Sequence, residues 1–104
     1  MPRILMPPLV PLHPQMQLDN TAPLRDPGVV LRDDYLRPLA WSTRDLAQSS
    51  GVPAWLLRRI MKGAPLHAEE AFRLGVALRT SPFYWLALQA RYDLWRFECE
   101  LAQD

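Results

Sequence analysis

The chain has 104 residues, enough for one small domain around a single core. Hydrophobic residues make up 49% of it, which excludes a disordered chain, and no apolar run is long enough for a membrane span. Twelve basic and eleven acidic residues leave a net charge of +1, so affinity for nucleic acid has to come from a local patch and not from the overall field.

Residues 1 to 25 carry Pro2, Pro7, Pro8, Pro11, Pro14 and Pro23, six of the eleven prolines, and show neither a helical nor an alternating period. They are expected to form an extended or disordered Pro-rich tail, either frayed or docked, and the prolines interrupt any signal-peptide helix. The folded domain is expected over residues 26 to 104. Its first helix opens with Asp26 as N-cap and Pro27 in the first turn, buries Val30, Leu31, Tyr35 and Leu36, and is expected to stop at Pro38. Ser42 caps the second helix, with Asp45 placed to return the cap. Val52-Pro53 starts the third. A fourth is expected from about Ala68 to Arg79, with Ala71, Phe72, Leu74 and Leu78 inward and Glu69 and Glu70 near its positive end. Ser81-Pro82 begins a fifth that reaches about Glu100, lined by Phe83, Trp85, Leu86, Leu88, Gln89, Tyr92, Leu94 and Trp95. It also carries Cys99, the single cysteine, which forbids an internal disulfide and fits a reducing cytoplasm. With no strand pattern anywhere, the expected class is all-α: five helices, the first four in a compact bundle.

The second and third helices have the spacing of a helix-turn-helix DNA reader. Ala47 is small where a second helix crosses over it, Gly51 ends the first helix where positive φ is needed, and Leu57 and Ile60 turn one face of the second helix inward. Ala54, Trp55, Arg58, Arg59 and Lys62 remain outward, the set that would meet a major groove. Between Pro53 and His67 there are three basic residues and no acidic one, a local +3. Such spacing also occurs in bundles that touch no DNA, where Arg58 and Arg59 would be a solvated helix face.

From Asp26 to Arg96 the sequence resembles the HigA-type antitoxins of bacterial toxin-antitoxin modules, within the lambda-repressor-like (Xre) helix-turn-helix superfamily. The likeness is carried by Asp26-Pro27-Gly28, by Leu31-Arg32-Asp33-Asp34-Tyr35-Leu36 and by Pro38-Leu39. It continues through Leu46-Ala47, Gly51-Val52-Pro53, Ile60 and Gly63, and is strongest from Thr80-Ser81-Pro82-Phe83-Tyr84-Trp85 to Trp95. The resemblance implies a cytoplasmic protein that neutralises a cognate ribosome-dependent, mRNA-cleaving toxin of RelE-like fold and represses its own operon as a dimer. The departures fall on the DNA-facing side. Thr43 stands where a glutamine commonly braces the contact; Ala54, Trp55 and Leu56 stand where small polar and basic residues are usual. Ala64-Pro65-Leu66 replaces a basic run, and Asp26 a histidine.

Arg59 is then the candidate for guanine readout, while Lys62, Arg44 and Thr43 suit phosphates. Trp55 has three readings: packing on a thymine methyl or sugar, anchoring a protein partner, or tucking against the core edge beside Leu56. The aromatic surplus on the fifth helix points to a homodimer contact through Tyr84, Leu88, Tyr92 and Trp95, or else to rings that cap the bundle. Apolar residues of the tail, Ile4 to Leu18, are candidate anchors on a toxin. An interaction module of the same fold, with specific DNA binding weakened or lost, is the competing function. No catalytic, metal-binding or cofactor motif is recognisable: His13 lies in the tail and His67 at a helix start, with no ligand-spaced partners.

Overall fold

Five helices joined by short connections make up residues 24–103, the part that the structure, a computed structural model, describes. The tail read from the sequence, with its proposed toxin anchors, lies outside these residues except for Leu24 and Arg25. Arg25 closes onto the first helix through a two-pronged ion pair with Asp34, at 2.8 and 3.0 Å.

The first helix, α1, is continuous but changes form: Pro27–Val30 is α-helical, Leu31–Leu36 is a π-helical turn and Arg37–Leu39 is α-helical again. Asp26 caps it as expected, its carboxylate accepting from the backbone N–H of Gly28 at 2.6 Å and of Val29 at 3.2 Å. Pro38 does not stop the helix. In a regular α-helix its ring would strike the carbonyl four residues back. Here the preceding turn is wound wider, with the Arg37 N–H donating to the carbonyl of Arg32, five residues back. The helix ends two residues later, where Ala40 takes a left-handed conformation at φ +57°.

The remaining helices are α2 (Thr43–Ser50), α3 (Ala54–Met61), α4 (Ala68–Leu78) and α5 (Pro82–Ala102). The core they share with α1 is Val30, Leu31, Leu36, Leu46, Val52, Leu57, Ile60, Leu66, Ala71, Leu74 and Trp85, all buried. Trp85 is the largest of these. Its indole N–H donates to the Thr80 hydroxyl at 2.7 Å, and Tyr35 and Tyr84 pack their rings 5.2 Å from it. Burial, and after it the neighbouring Tyr35 phenol, hold the Tyr84 phenol up at a pKa of about 12.

On α4 the inward face differs from the one expected. Ala71, Leu74 and Gly75 are buried, whereas Phe72 is 61% exposed. The reason lies in the α4–α5 turn: a Cβ on Gly75 would come within 2.9 Å of the Thr80 carbonyl oxygen and 3.2 Å of the Pro82 ring, so the helix approaches along its smallest residue and rotates Phe72 out. The second half of α5 carries Leu94, Trp95, Phe97 and Leu101, all exposed, and at 21 residues the helix is about 31 Å long.

Gly28 sits where α1 meets the end of α3. A Cβ there would fall on the carbonyl oxygen of Ile60 and 2.7 Å from the Cα of Met61, backbone atoms that cannot move aside. Gly28→Ala is therefore expected to destabilise the fold by about 3 kcal/mol or more, despite alanine's better helix propensity. A urea titration followed by circular dichroism measures this; a midpoint at or above that of the wild type would contradict the packing.

Candidate nucleic-acid interface

The helix-turn-helix segment is built from local devices. Ser42 and Asp45 form a reciprocal capping box: the Asp45 N–H donates to the Ser42 hydroxyl at 3.1 Å and the Ser42 N–H to the Asp45 carboxylate at 2.8 Å. That box fixes where α2 begins. At its other end Gly51 lies at φ +79°, its N–H bonded to the Ala47 carbonyl at 2.9 Å, and Val52 drops into the core. Ser50 is buried and satisfies the turn by accepting from the Val52 N–H at 3.1 Å. Pro53 then stands at the head of α3, whose Leu56 and Leu57 N–H groups donate to its carbonyl at 3.0 Å. A second left-handed glycine, Gly63 at φ +107°, closes α3, with the Ala64 N–H returning to the Arg59 carbonyl at 2.9 Å.

These devices leave α3 buried along Leu57 and Ile60 and open on the other side. Trp55, Arg58, Arg59 and Lys62 are exposed; Ala54 is half-buried. Among the described residues none of these three cations is in an ion pair, unlike Arg25, Arg32, Arg37 and Arg73. Trp55 is 59% exposed, so it is not tucked against the core edge; Leu56 takes that role, half-buried against it. Arg44 is exposed and Thr43 half-buried at the head of α2.

The fold brings several of these side chains to one concavity of about 470 Å³, formed where the end of α1, the start of α2 and the end of α3 converge. Its lining includes Ser42 and Thr43 from α2 and Arg58, Met61 and Lys62 from α3. From α1 and the turn after it come Arg32, Leu36, Arg37 and Trp41. Arg44, Ala54, Trp55 and Arg59 are not part of this lining. Asp33 sits beside the groove, bonded to Arg32 at 2.9 Å and 3.5 Å from Arg37, and the Arg32 contact holds its carboxyl below the usual carboxylate range. Arg32, Arg37, Arg58 and Lys62 outnumber the nearby carboxylates, Asp33 beside Arg32 and Asp45 in the cap of α2, so the groove is basic on balance. Arg32 and Arg37 were not expected here. Nothing in the spacing of α1 marks them; only tertiary packing places them in one groove with Lys62.

The dimer candidates on α5 divide. Tyr84 and Leu88 already pack on the core, Tyr92 is half-buried with its ring 5.7 Å from that of Trp95, and Trp95 is exposed. His67 heads α4, where its backbone N–H donates to the Glu70 carboxylate at 2.8 Å. Among the described residues no group of histidine, cysteine and acidic side chains is arranged to hold a metal, and no helix is long and apolar enough to cross a membrane.

No family model matches the chain. It is 32% identical to antitoxin HigA-1 of Vibrio cholerae over 68 residues, 65% of each chain, so it spans just under two-thirds of that relative's length. To a helix-turn-helix transcriptional regulator of Haemophilus influenzae it is 35% identical over 72 residues, 68% of this chain and 67% of the other. Among solved structures, the Pseudomonas aeruginosa antitoxin HigA with the higBA promoter superimposes at a TM-score of 0.72 and 29% identity, covering 78% of this chain and 89% of that one.

The Ser42 backbone N–H, and then the Ser42 hydroxyl, hold the Asp45 carboxyl below its ordinary value of 3.8. A depressed pKa stabilises the fold above that value, and the contribution is lost as the pH falls through the folded-state pKa. Asp45→Asn is accordingly expected to lower the melting temperature at pH 7 and to converge on the wild type below pH 3.8. Melts across that range decide it, and a gap that persists unchanged in acid would refute the assignment.

Proposed function

Because the chain belongs to the HigA-type antitoxins, within the helix-turn-helix transcriptional regulators, we propose that it binds operator DNA as a homodimer and represses its own operon. It also neutralises a cognate toxin of RelE-like fold that cleaves mRNA on the ribosome, and does so in the cytoplasm. The observation that carries the DNA reading is the outward face of α3, where Arg58, Arg59 and Lys62 stand exposed without an acidic partner beside a basic groove. In this reading α3 enters the major groove, Ala54 and Trp55 lie nearest the bases and Arg59 reads guanine through its two-pronged guanidinium. Lys62, Arg44, Thr43 and Arg58 take phosphates, joined by Arg32 and Arg37.

One such surface neutralises few phosphates, so affinity is gained by pairing two copies on two half-sites. The exposed apolar side of α5 supports that pairing: Trp95 contributes with Leu94, Phe97 and Leu101, Tyr92 lies at its edge, and Tyr84 and Leu88 act mainly by holding α5 to the core. Toxin neutralisation rests on the likeness to HigA antitoxins. The competing reading, an interaction module without specific DNA binding, draws on Ala54, Trp55 and Leu56, which bring no charged or amide side chain to the first turn of α3.

A salt-titrated gel shift with DNA upstream of the gene separates the two. Arg59→Ala is expected to weaken specific binding by about 1 to 3 kcal/mol while leaving the dissociation constant for the toxin unchanged. Binding indifferent to DNA sequence at every salt concentration would favour the interaction module. Trp95→Arg is expected to convert a dimer into a monomer in light scattering, and an unchanged mass would remove α5 from the interface.

A further inference from the structure

We infer that Trp55 is a specificity-determining residue that reads the C5-methyl group of thymine, so that the operator half-site carries a thymine under the start of α3. This rests on the reading in which α3 faces a duplex. Trp55 is the second residue of α3, the end of a recognition helix that reaches base edges. More than half of its surface is open, and among the described residues no ring, cation or hydrogen-bond acceptor engages its indole.

Its neighbours narrow the choice of what it can meet. Ala54 and Leu56 are apolar and half-buried, and the outward polar residues of the helix, Arg58 and Arg59, begin nearly a turn later. The start of α3 therefore presents a flat apolar surface with one N–H at its rim. The floor of the major groove displays acceptors, donors and a single kind of apolar group, the thymine methyl. Acceptors and donors covered by an indole face would lose water without gaining a partner, which costs affinity at any other base. A methyl loses nothing. The indole N–H at the rim remains able to donate to a neighbouring acceptor such as the O4 of thymine or the N7 of a purine.

The test begins with the full-length protein and an operator sequence obtained by selection from a random duplex library. Each thymine is then replaced in turn by deoxyuridine, which deletes only the methyl. One thymine per half-site is expected to respond, with affinity falling about fourfold for one half-site and roughly fifteenfold for both, the factor that follows from exposing a methyl group. Placing 5-methylcytosine against guanine at that position, compared with plain cytosine, is expected to recover part of the loss. In Trp55→Ala the thymine and deoxyuridine operators should bind alike, and because Trp55 is exposed the variant's melting temperature should match the wild type. Specific binding that is insensitive to deoxyuridine at every position overturns the role of Trp55 but leaves the DNA reading standing, as an indole wedged between base pairs would do. Failure of the selection to yield any preferred sequence overturns both.

Discussion

An eight-residue helix cannot hold its own shape in water, so α3 takes its form and direction from what it packs on. Two fully buried anchors, Leu57 and Ile60, seat it in the core, and Val52 pins the turn before it. The contact that sets its far end is backbone on backbone: α1 comes so close at Gly28 that there is no room for a side chain against Ile60 and Met61. A helix held on three sides in this way has one side left. What that side presents is decided by residues that contribute almost nothing to the fold, which is why Trp55, Arg58, Arg59 and Lys62 can vary in chemistry without disturbing the bundle.

The parts of the structure legible in the sequence are those decided within a few residues. The Asp26 cap, the Ser42–Asp45 box and the Ser81 cap on α5 each depend on a side chain reaching nearby backbone, Gly51 on the left-handed backbone that a residue without a Cβ adopts freely, and each stands where the sequence places it. What the sequence hid was decided at longer range. Pro38 reads as a stop by local rules, yet packing of Leu31 and Leu36 into the core keeps the helix going by widening one turn. Phe72 reads as inward by period, yet the close pass at Gly75 turns it to solvent. Arg32 and Arg37 join the basic groove because α1 and α3 converge, a fact no spacing within either helix contains.

Charge is distributed in the same spirit. Among the described residues the ion-paired carboxylates take partners outside α3: Asp34 with Arg25, Asp33 with Arg32 and Arg37, Glu69 with Arg73. Exposed pairs of this kind add little stability. Their larger effect is on the field, since the paired carboxylates take partners on α1, α4 and the residues leading into them, and among the described residues the exposed cations of α3 remain without an ion pair. A molecule with a net charge of +1 can thus carry a positive face, and its weak long-range pull gives the proposed two-site binding more weight than it would have in a basic protein.

In the proposed dimer, two copies read two half-sites only if the distance between their recognition helices is fixed, and the fold supplies a route for fixing it. The segment leaving α3 buries Leu66, whose backbone N–H donates to the Gln89 side chain of α5 at 2.8 Å. Trp85, one turn earlier on α5, is locked in the core and tied to Thr80. The helix proposed to meet a second copy is therefore bonded directly to the exit of the helix proposed to meet DNA, with no flexible linker between them. Gln89 belongs to the sequence block that most strongly carries the antitoxin likeness, and the structure supplies a physical reason for an amide at that place. A side chain long enough to span the gap and able to accept from a buried backbone N–H couples the spacing of the readers to the geometry of the pair. An apolar residue there would leave the Leu66 N–H unsatisfied and the two surfaces free to drift apart.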